Sequence, residues 1–264
     1  MAPQLAVEIL HMIAAHLQAA EFSLAPCTLV CRPWRAAFEP LIYSRLCISS
    51  TKTTSIEDKR VITIDLLEEL TSRAGIIRRS WIQHIDCKIV VPHLLKNYTT
   101  IVDGNYDLDN PVRRENNMAF QRGIARLFRL FSSWSADLHV SLELSIHGEE
   151  LCVEEPEACA ALDTHEFDYE LQDSQGIVPP YHAAFVDQSQ VSLSKAACIK
   201  RTLFPRFKEH QIGAGAALEI VSCCSQITEI ELALDYYIRP DHLEHIQARR
   251  QGTLPSTPCC VHEI

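Results

Sequence analysis

Residues 116–146 read NNMAFQRGIARLFRLFSSWSADLHVSLELSI. Phe120, Ile124, Leu127, Phe128 and Phe131 recur every three or four residues, which places five large apolar side chains on one face of a helix over 116–134. The period then changes. Leu138, Val140, Leu142, Leu144 and Ile146 alternate with His139, Ser141, Glu143 and Ser145, so the segment predicts a strand with one dry and one polar face. A helix and a strand in succession, each with a single apolar side, make one unit of a layered α/β fold.

The same order recurs on either side. Upstream, 62–73 predicts a helix, and Ile82, Ile85, Cys87 and Ile89 predict a strand that Pro92 stops. Downstream, 214–224 predicts a helix, after which Ile227, Ile230, Leu232 and Leu234 reproduce the Ile82–Ile89 spacing. Strands each preceded by a helix favour a parallel sheet with helices outside, and the strand spacing is close to that of a leucine-rich repeat with uneven repeat lengths. Residues 61–240 therefore read as an irregular repeat region. Inside it, 149–190 reads as a loop-like insertion: 149–173 holds ten Asp/Glu and no Lys or Arg, and the insertion contains Pro156, Gly176, Pro179 and Pro180. The basic group Arg113, Arg114, Arg122, Arg126 and Arg129 is available to pair with those acids. Residues 241–264 read as a short helix and a tail ending TPCCVHEI, which leaves the array without a full C-terminal cap.

Before the repeats, 49–60 reads SSTKTTSIEDKR, with a single apolar residue, and predicts a linker. Residues 1–48 precede it as three short helices. Leu5, Ile9, Met12, Ile13 and Leu17 form the apolar stripe of the first. Ser23 is placed to cap a second that runs to Val30, with Pro26 in its first turn. Pro33 suits the first turn of a third, carrying Trp34, Ala37, Phe38 and Leu41, which Pro40 kinks or ends near its last turn. Three helices this short bury little surface, so a leftover apolar face calls for a partner.

Leu5-Ala6-Val7-Glu8-Ile9, then Ile13 and Leu17, then Leu29-Val30-Cys31-Arg32-Pro33-Trp34-Arg35, then Leu41-Ile42-Tyr43-Ser44-Arg45-Leu46 resembles an F-box. The family usually opens Leu-Pro-x-Glu-Ile, and Ala6 stands where the proline would be. The remainder, above all Arg79–Pro92 and Asn116–Trp134, is similar to fungal-type F-box proteins. The resemblance implies a substrate-receptor subunit that docks on the Skp adaptor of a cullin-RING ubiquitin ligase and holds a protein substrate on its C-terminal region, in the cytoplasm or nucleus. Leu5, Ala6, Ile9, Ile13, Leu17, Val30, Cys31 and Trp34 would form or support the adaptor face. The alternative is a stand-alone scaffold with a degenerate box.

Other chemistries have thin support. Formal charge is -10 and no basic stripe stands out, so nucleic acid is not expected as a partner. No apolar run approaches the length of a membrane span, and the N-terminus lacks a basic-then-apolar secretory pattern. The eleven cysteines, an odd number set mostly in apolar stretches, read as reduced core thiols, which leaves the sequon Asn97-Tyr98-Thr99 without a role. No Cys-x-x-Cys occurs, the tail group Cys259, Cys260, His262 has no second ligand pair, and His242-Leu243-Glu244-His245 is one residue short of the inverted zincin motif, so neither metal nor cofactor is expected. Gly213-Ala214-Gly215 follows Lys208-Glu209-His210 and lacks a third small residue, which makes it a helix entry and not a dinucleotide loop. No catalytic residue is expected in the chain itself.

Overall fold

A computed structural model describes residues 6–19, 22–52, 61–95, 100–103, 111–152, 175–178, 181–186, 192–205 and 210–232. Two compact units are distinguished, Met1–Ala233 and Leu234–Ile264. The second lies outside the described residues, as do the expected tail at 241–264 and the end of the predicted strand at Leu234.

The chain opens with α1 (Val7–Ala19), a 3₁₀ helix (Ala25–Leu29) and α2 (Arg32–Ser44), and passes directly into β1 (Arg45–Ser49). Next come β2 (Val61–Thr63), α3 (Ile64–Leu70), a second 3₁₀ helix (Arg73–Ser80), β3 (His84–Leu95) and β4 (Thr100–Asp103). The long helix α4 (Pro111–Ser132) leads to β5 (Val140–Cys152). Then follow β6 (Gln175–Val178), β7 (His182–Ala183), β8 (Ile199–Phe204), β9 (Gln211–Ile212), α5 (Ala214–Ser222) and β10 (Glu229–Leu232). Six strands form one parallel sheet in the order β10-β8-β5-β3-β1-β2. The α/β character and the parallel sheet are as the alternating periods predict.

The central pairing, β3 with β5, holds one register from His84↔Ser141 to Leu95↔Cys152. Ile85, Cys87, Ile89 and Val91 on β3 and Val140, Leu142, Leu144 and Ile146 on β5 point to one face and are buried. On that face Phe120, Ile124, Leu127, Phe128 and Phe131 of α4 complete the main core, as their spacing predicts. Asn116, fully buried, fastens α4 to β3: its side-chain amide donates to the His93 carbonyl and its carbonyl accepts from the His93 N–H, both at 2.9 Å. That amide answers both backbone groups of one strand residue, which satisfies groups that burial would otherwise leave unpaired.

Several expectations change. Pro92 does not stop β3. β1 pairs β3 only as far as Ser49↔Lys88, and the Val90 N–H already turns to Ser50 Oγ at 2.9 Å, so the missing Pro92 donor faces an edge from which β1 has gone. The linker does not begin at 49, because Ser49 and Ser50 are buried against the sheet, and 53–60 lies outside the described residues. The helix predicted over 62–73 starts later. Val61-Ile62-Thr63 is a β-branched run that pairs with β1, and Thr63 caps α3 by accepting the Leu66 N–H on its hydroxyl at 3.2 Å.

The 149–190 stretch is not loop throughout either. β5 continues to Cys152, Gln175–Val178 pairs antiparallel with β4, and Tyr181, Ala183 and Phe185 enter the main core; 153–174 lies outside the described residues. The 181–186 segment is tied to α4, since Asn117 Oδ1 accepts from Tyr181 OH at 2.8 Å and from the Ala184 N–H at 3.0 Å. Arg126 pairs with Asp65 of α3, and most of the acidic segment expected to meet this basic group lies outside the described residues. The strand predicted from Ile227 is present as β10, yet Ile230 is half exposed, so the spacing marks a strand at the sheet's rim and not a core strand.

The N-terminal helices hold a core of their own. Leu10, Ala14, Leu24, Ala37 and Phe38 are buried together, with Ile13, Leu17, Cys27, Trp34, Leu41 and Ile42 packed around them. The middle helix is 3₁₀ and is entered through Leu24, not capped by Ser23. α2 runs one turn past Pro40 before ending at Ser44.

Candidate functional site

The helical unit divides the eight predicted adaptor residues into two groups. Ile13 and Leu17 are half-buried against the cluster of Leu10, Ala14, Leu24, Ala37 and Phe38, while Trp34 stacks on Phe38 with ring centroids 5.2 Å apart and planes 3° from parallel. These three support the unit from inside. Ala6, Ile9, Val30 and Cys31 are exposed, and Leu5 lies outside the described residues. Ala6 opens α1 by accepting the Ile9 and Leu10 N–H groups on its carbonyl.

The stripe read from the sequence is therefore rotated. Leu10 and Ala14 face the interior, and Ile9 and Met12, three residues apart, share an outward side. Met12 is 73% exposed, Leu29 78%, Val30 63% and Phe22 65%, so four large apolar side chains of the helical unit stand in solvent. Met12, Leu29 and Phe22 were not among the predicted contacts. Met12 belonged to the recognised stripe and Leu29 adjoins Val30, so both carried a signal; Phe22 carried none. Cys31, expected among the core thiols, is exposed at the start of α2.

α2 is clamped at its other end. Arg78 of the second 3₁₀ helix donates from Nη2 and Nε to Glu39 Oε1 at 2.8 and 3.1 Å, from Nη1 to the Leu70 carbonyl at 3.0 Å, and lies 5.1 Å over the Tyr43 ring. Burial raises the Tyr43 hydroxyl pKa above its ordinary value, with Arg78 acting against it. Tyr43 also meets Trp81, 6.3 Å between centroids.

A second surface is the sheet face turned away from α4. Register sets its rows: Arg45, His84, Ser141; then Cys47, Asp86, Glu143; then Ser49, Lys88, Ser145. His84 Nε2 lies 3.5 Å from Glu143 Oε2, and burial, with Arg45 beside it, lowers the His84 pKa below the usual imidazole value. The Cys47 thiol donates to Asp86 at 3.5 Å. Arg201 on β8 forms ion pairs with Glu229 and Glu231 of β10, each at 3.1 Å. This row of mixed charges is the polar side of the alternation visible at Ser141, Glu143 and Ser145.

Among the described residues no group of three or more His, Cys, Asp or Glu is arranged to hold a metal ion. None of their helices is long and apolar enough to cross a membrane. Gly213 follows the two-residue strand β9, a neighbour the sequence did not suggest, and its N–H donates to the Ala183 carbonyl at 2.9 Å, so this glycine serves close packing. No curated protein and no solved structure matches the chain. Residues 7–49 match the F-box-like family, and with the three helices, their shared core and their exposed apolar rim in place, the N-terminal unit of this chain is an F-box-like domain.

Proposed function

We propose that the chain is a substrate-receptor subunit of a Skp-cullin-F-box ubiquitin ligase, with no catalytic step of its own. The observation that carries this reading is an F-box-like domain whose first helix and first 3₁₀ helix leave Ile9, Met12, Leu29 and Val30 in solvent. Burying four such side chains on a partner is worth about 1.5–3 kcal/mol each at full burial, before the cost of association. Substrate binding belongs to the sheet region, where the polar rows from Arg45 to Glu143 supply directional contacts; a leucine-rich-repeat-like use of that face is part of the same proposal.

The test is co-purification of the full chain with the Skp adaptor and cullin. A Met12→Asp, Val30→Asp variant is expected to lose the adaptor at least tenfold with an unchanged melting temperature, because both side chains are exposed. Adaptor binding that survives both substitutions would refute the assigned face. Absence of adaptor from the wild-type preparation would favour the scaffold reading instead.

A further inference from the structure

We propose that the F-box-like domain and the parallel sheet unfold as one cooperative unit, so that a partner bound to the box holds the sheet folded. The second half rests on the adaptor reading given above; the first half stands on the fold alone.

The polar stretch at 49–60 invites the picture of a detachable helical module. The backbone contradicts it. Ser44 ends α2 and Arg45 begins β1 with no residue between them. β1 is an inner strand: it pairs with β2 on one side from Cys47↔Val61 to Ser49↔Thr63, and with β3 on the other from Arg45↔His84 to Ser49↔Lys88. Ile48, with no exposed surface, is part of the main core, so the last residues of the family match supply a core side chain to the sheet.

The junction is bonded as well as continuous. The Gln83 N–H donates to the Ser44 carbonyl at 3.0 Å, the Ser50 N–H to the Lys88 carbonyl at 3.0 Å, and Arg78 grips Glu39 and Tyr43 of α2 from the sheet side. Unravelling α2 would release β1. Releasing β1 would in turn leave β2 with no strand neighbour in the sheet and uncover Ile48 and Ile85. Cooperative units follow such shared contacts and not the family boundary. A partner present at about one hundred times its Kd then lowers the unfolded population of the whole unit about one hundredfold, because it binds only the folded box.

Hydrogen exchange of the full chain, followed by mass spectrometry, tests both halves. With the Skp adaptor at about one hundred times its dissociation constant, the slowest amides of β3, β5 and β8 should slow about one hundredfold, matching the amides of the box core. Slowing confined to residues 7–44 would overturn the proposal. Leu10→Ala, which cuts the box core and not the core of the sheet, supplies a readout that needs no adaptor. It should accelerate exchange of β5 and β8 amides by the same factor as those of α2. Acceleration limited to the box would equally overturn the proposal, whereas failure of the adaptor to bind with coupled exchange in Leu10→Ala would count against the receptor reading alone.

Discussion

Replacing Arg78 by alanine removes the clamp between the box helix and the second 3₁₀ helix. The guanidinium makes two charge-assisted bonds to Glu39 Oε1 and one to the Leu70 carbonyl, and covers the Tyr43 ring. Its side chain is 28% exposed and that of Glu39 20%, which places the pair between a solvent-screened ion pair, at about 0–1 kcal/mol, and a buried one, whose disruption costs about 3–5 kcal/mol. The cation over the Tyr43 ring adds about 0.5–1 kcal/mol, so the loss should come to about 2–3 kcal/mol. For a unit of this size that is a fall in melting temperature of about 5–10 °C. Arg78→Lys should recover less than half, since an ammonium cannot reach Glu39, Leu70 and the ring face at once. A double-mutant cycle with Glu39→Ala, read by circular dichroism and by tryptophan fluorescence, should return a coupling of about 1–2 kcal/mol. A coupling near zero, or a loss under about 0.5 kcal/mol for Arg78→Ala, would show that the junction is held by the α2–β1 continuity alone.

Acid should destabilise the chain through His210. It is 1% exposed, accepts the Leu95 N–H on Nε2 at 2.9 Å, and burial lowers its pKa to about 4. The unfolded chain takes up the proton near pH 6.5 and the folded one only near pH 4, so stability is intact above about 6.5 and falls by about 3 kcal/mol toward pH 4. Urea unfolding of wild type and His210→Gln across pH 7 to 4.5 should show a shallower slope in the variant; equal slopes would remove His210 as the cause. Among the described thiols Cys31 should react first with a thiol reagent and be shielded by the adaptor, whereas Cys198, Cys224 and Cys87 should react last, burial having pushed the first two up to about 11 and about 12 and the third well above its usual value. Labelling of Cys87 ahead of Cys31 would contradict the packing. Arg73 has φ of 47°, so Arg73→Gly should stabilise by up to about 1 kcal/mol, and a loss on chemical denaturation would mean its side chain is needed where it stands.

The parts legible in the sequence are those in which one period runs long enough to exclude the other. α4 and β5 stand where Phe120–Phe131 and Val140–Ile146 put them, because five residues in phase leave little freedom in which side faces the core. The box was legible by motif, and its α2 by Pro33 and the Trp34–Phe38 spacing. Where segments were short, the phase slipped. α1 contains apolar residues at 9, 10, 12, 13, 14 and 17, and the stripe chosen from them took Ile9 and Met12 as one face with Ile13; only packing against Phe38 and Leu24 decides that Leu10 and Ala14 are inside. Tyr181, Ala183 and Phe185 alternate as a strand would, yet three residues beside an acidic run gave too weak a signal against its composition.

Periodicity by itself determined that this chain opens with short amphipathic helices and continues as an α/β region with a parallel sheet, since those properties follow from which residues must leave water at which spacing, while the order of the motifs in the first 48 residues carried the F-box resemblance. Tertiary structure alone decided how the pieces join. Ser50 is buried because its hydroxyl accepts the Val90 N–H of β3, Pro92 stays in β3 because its neighbour strand has ended, and β1 lies between β2 and β3 because that pairing buries Ile48. Each depends on a contact between residues about 40 positions apart or on the end of a distant strand, and such partners are invisible to any local window along the chain.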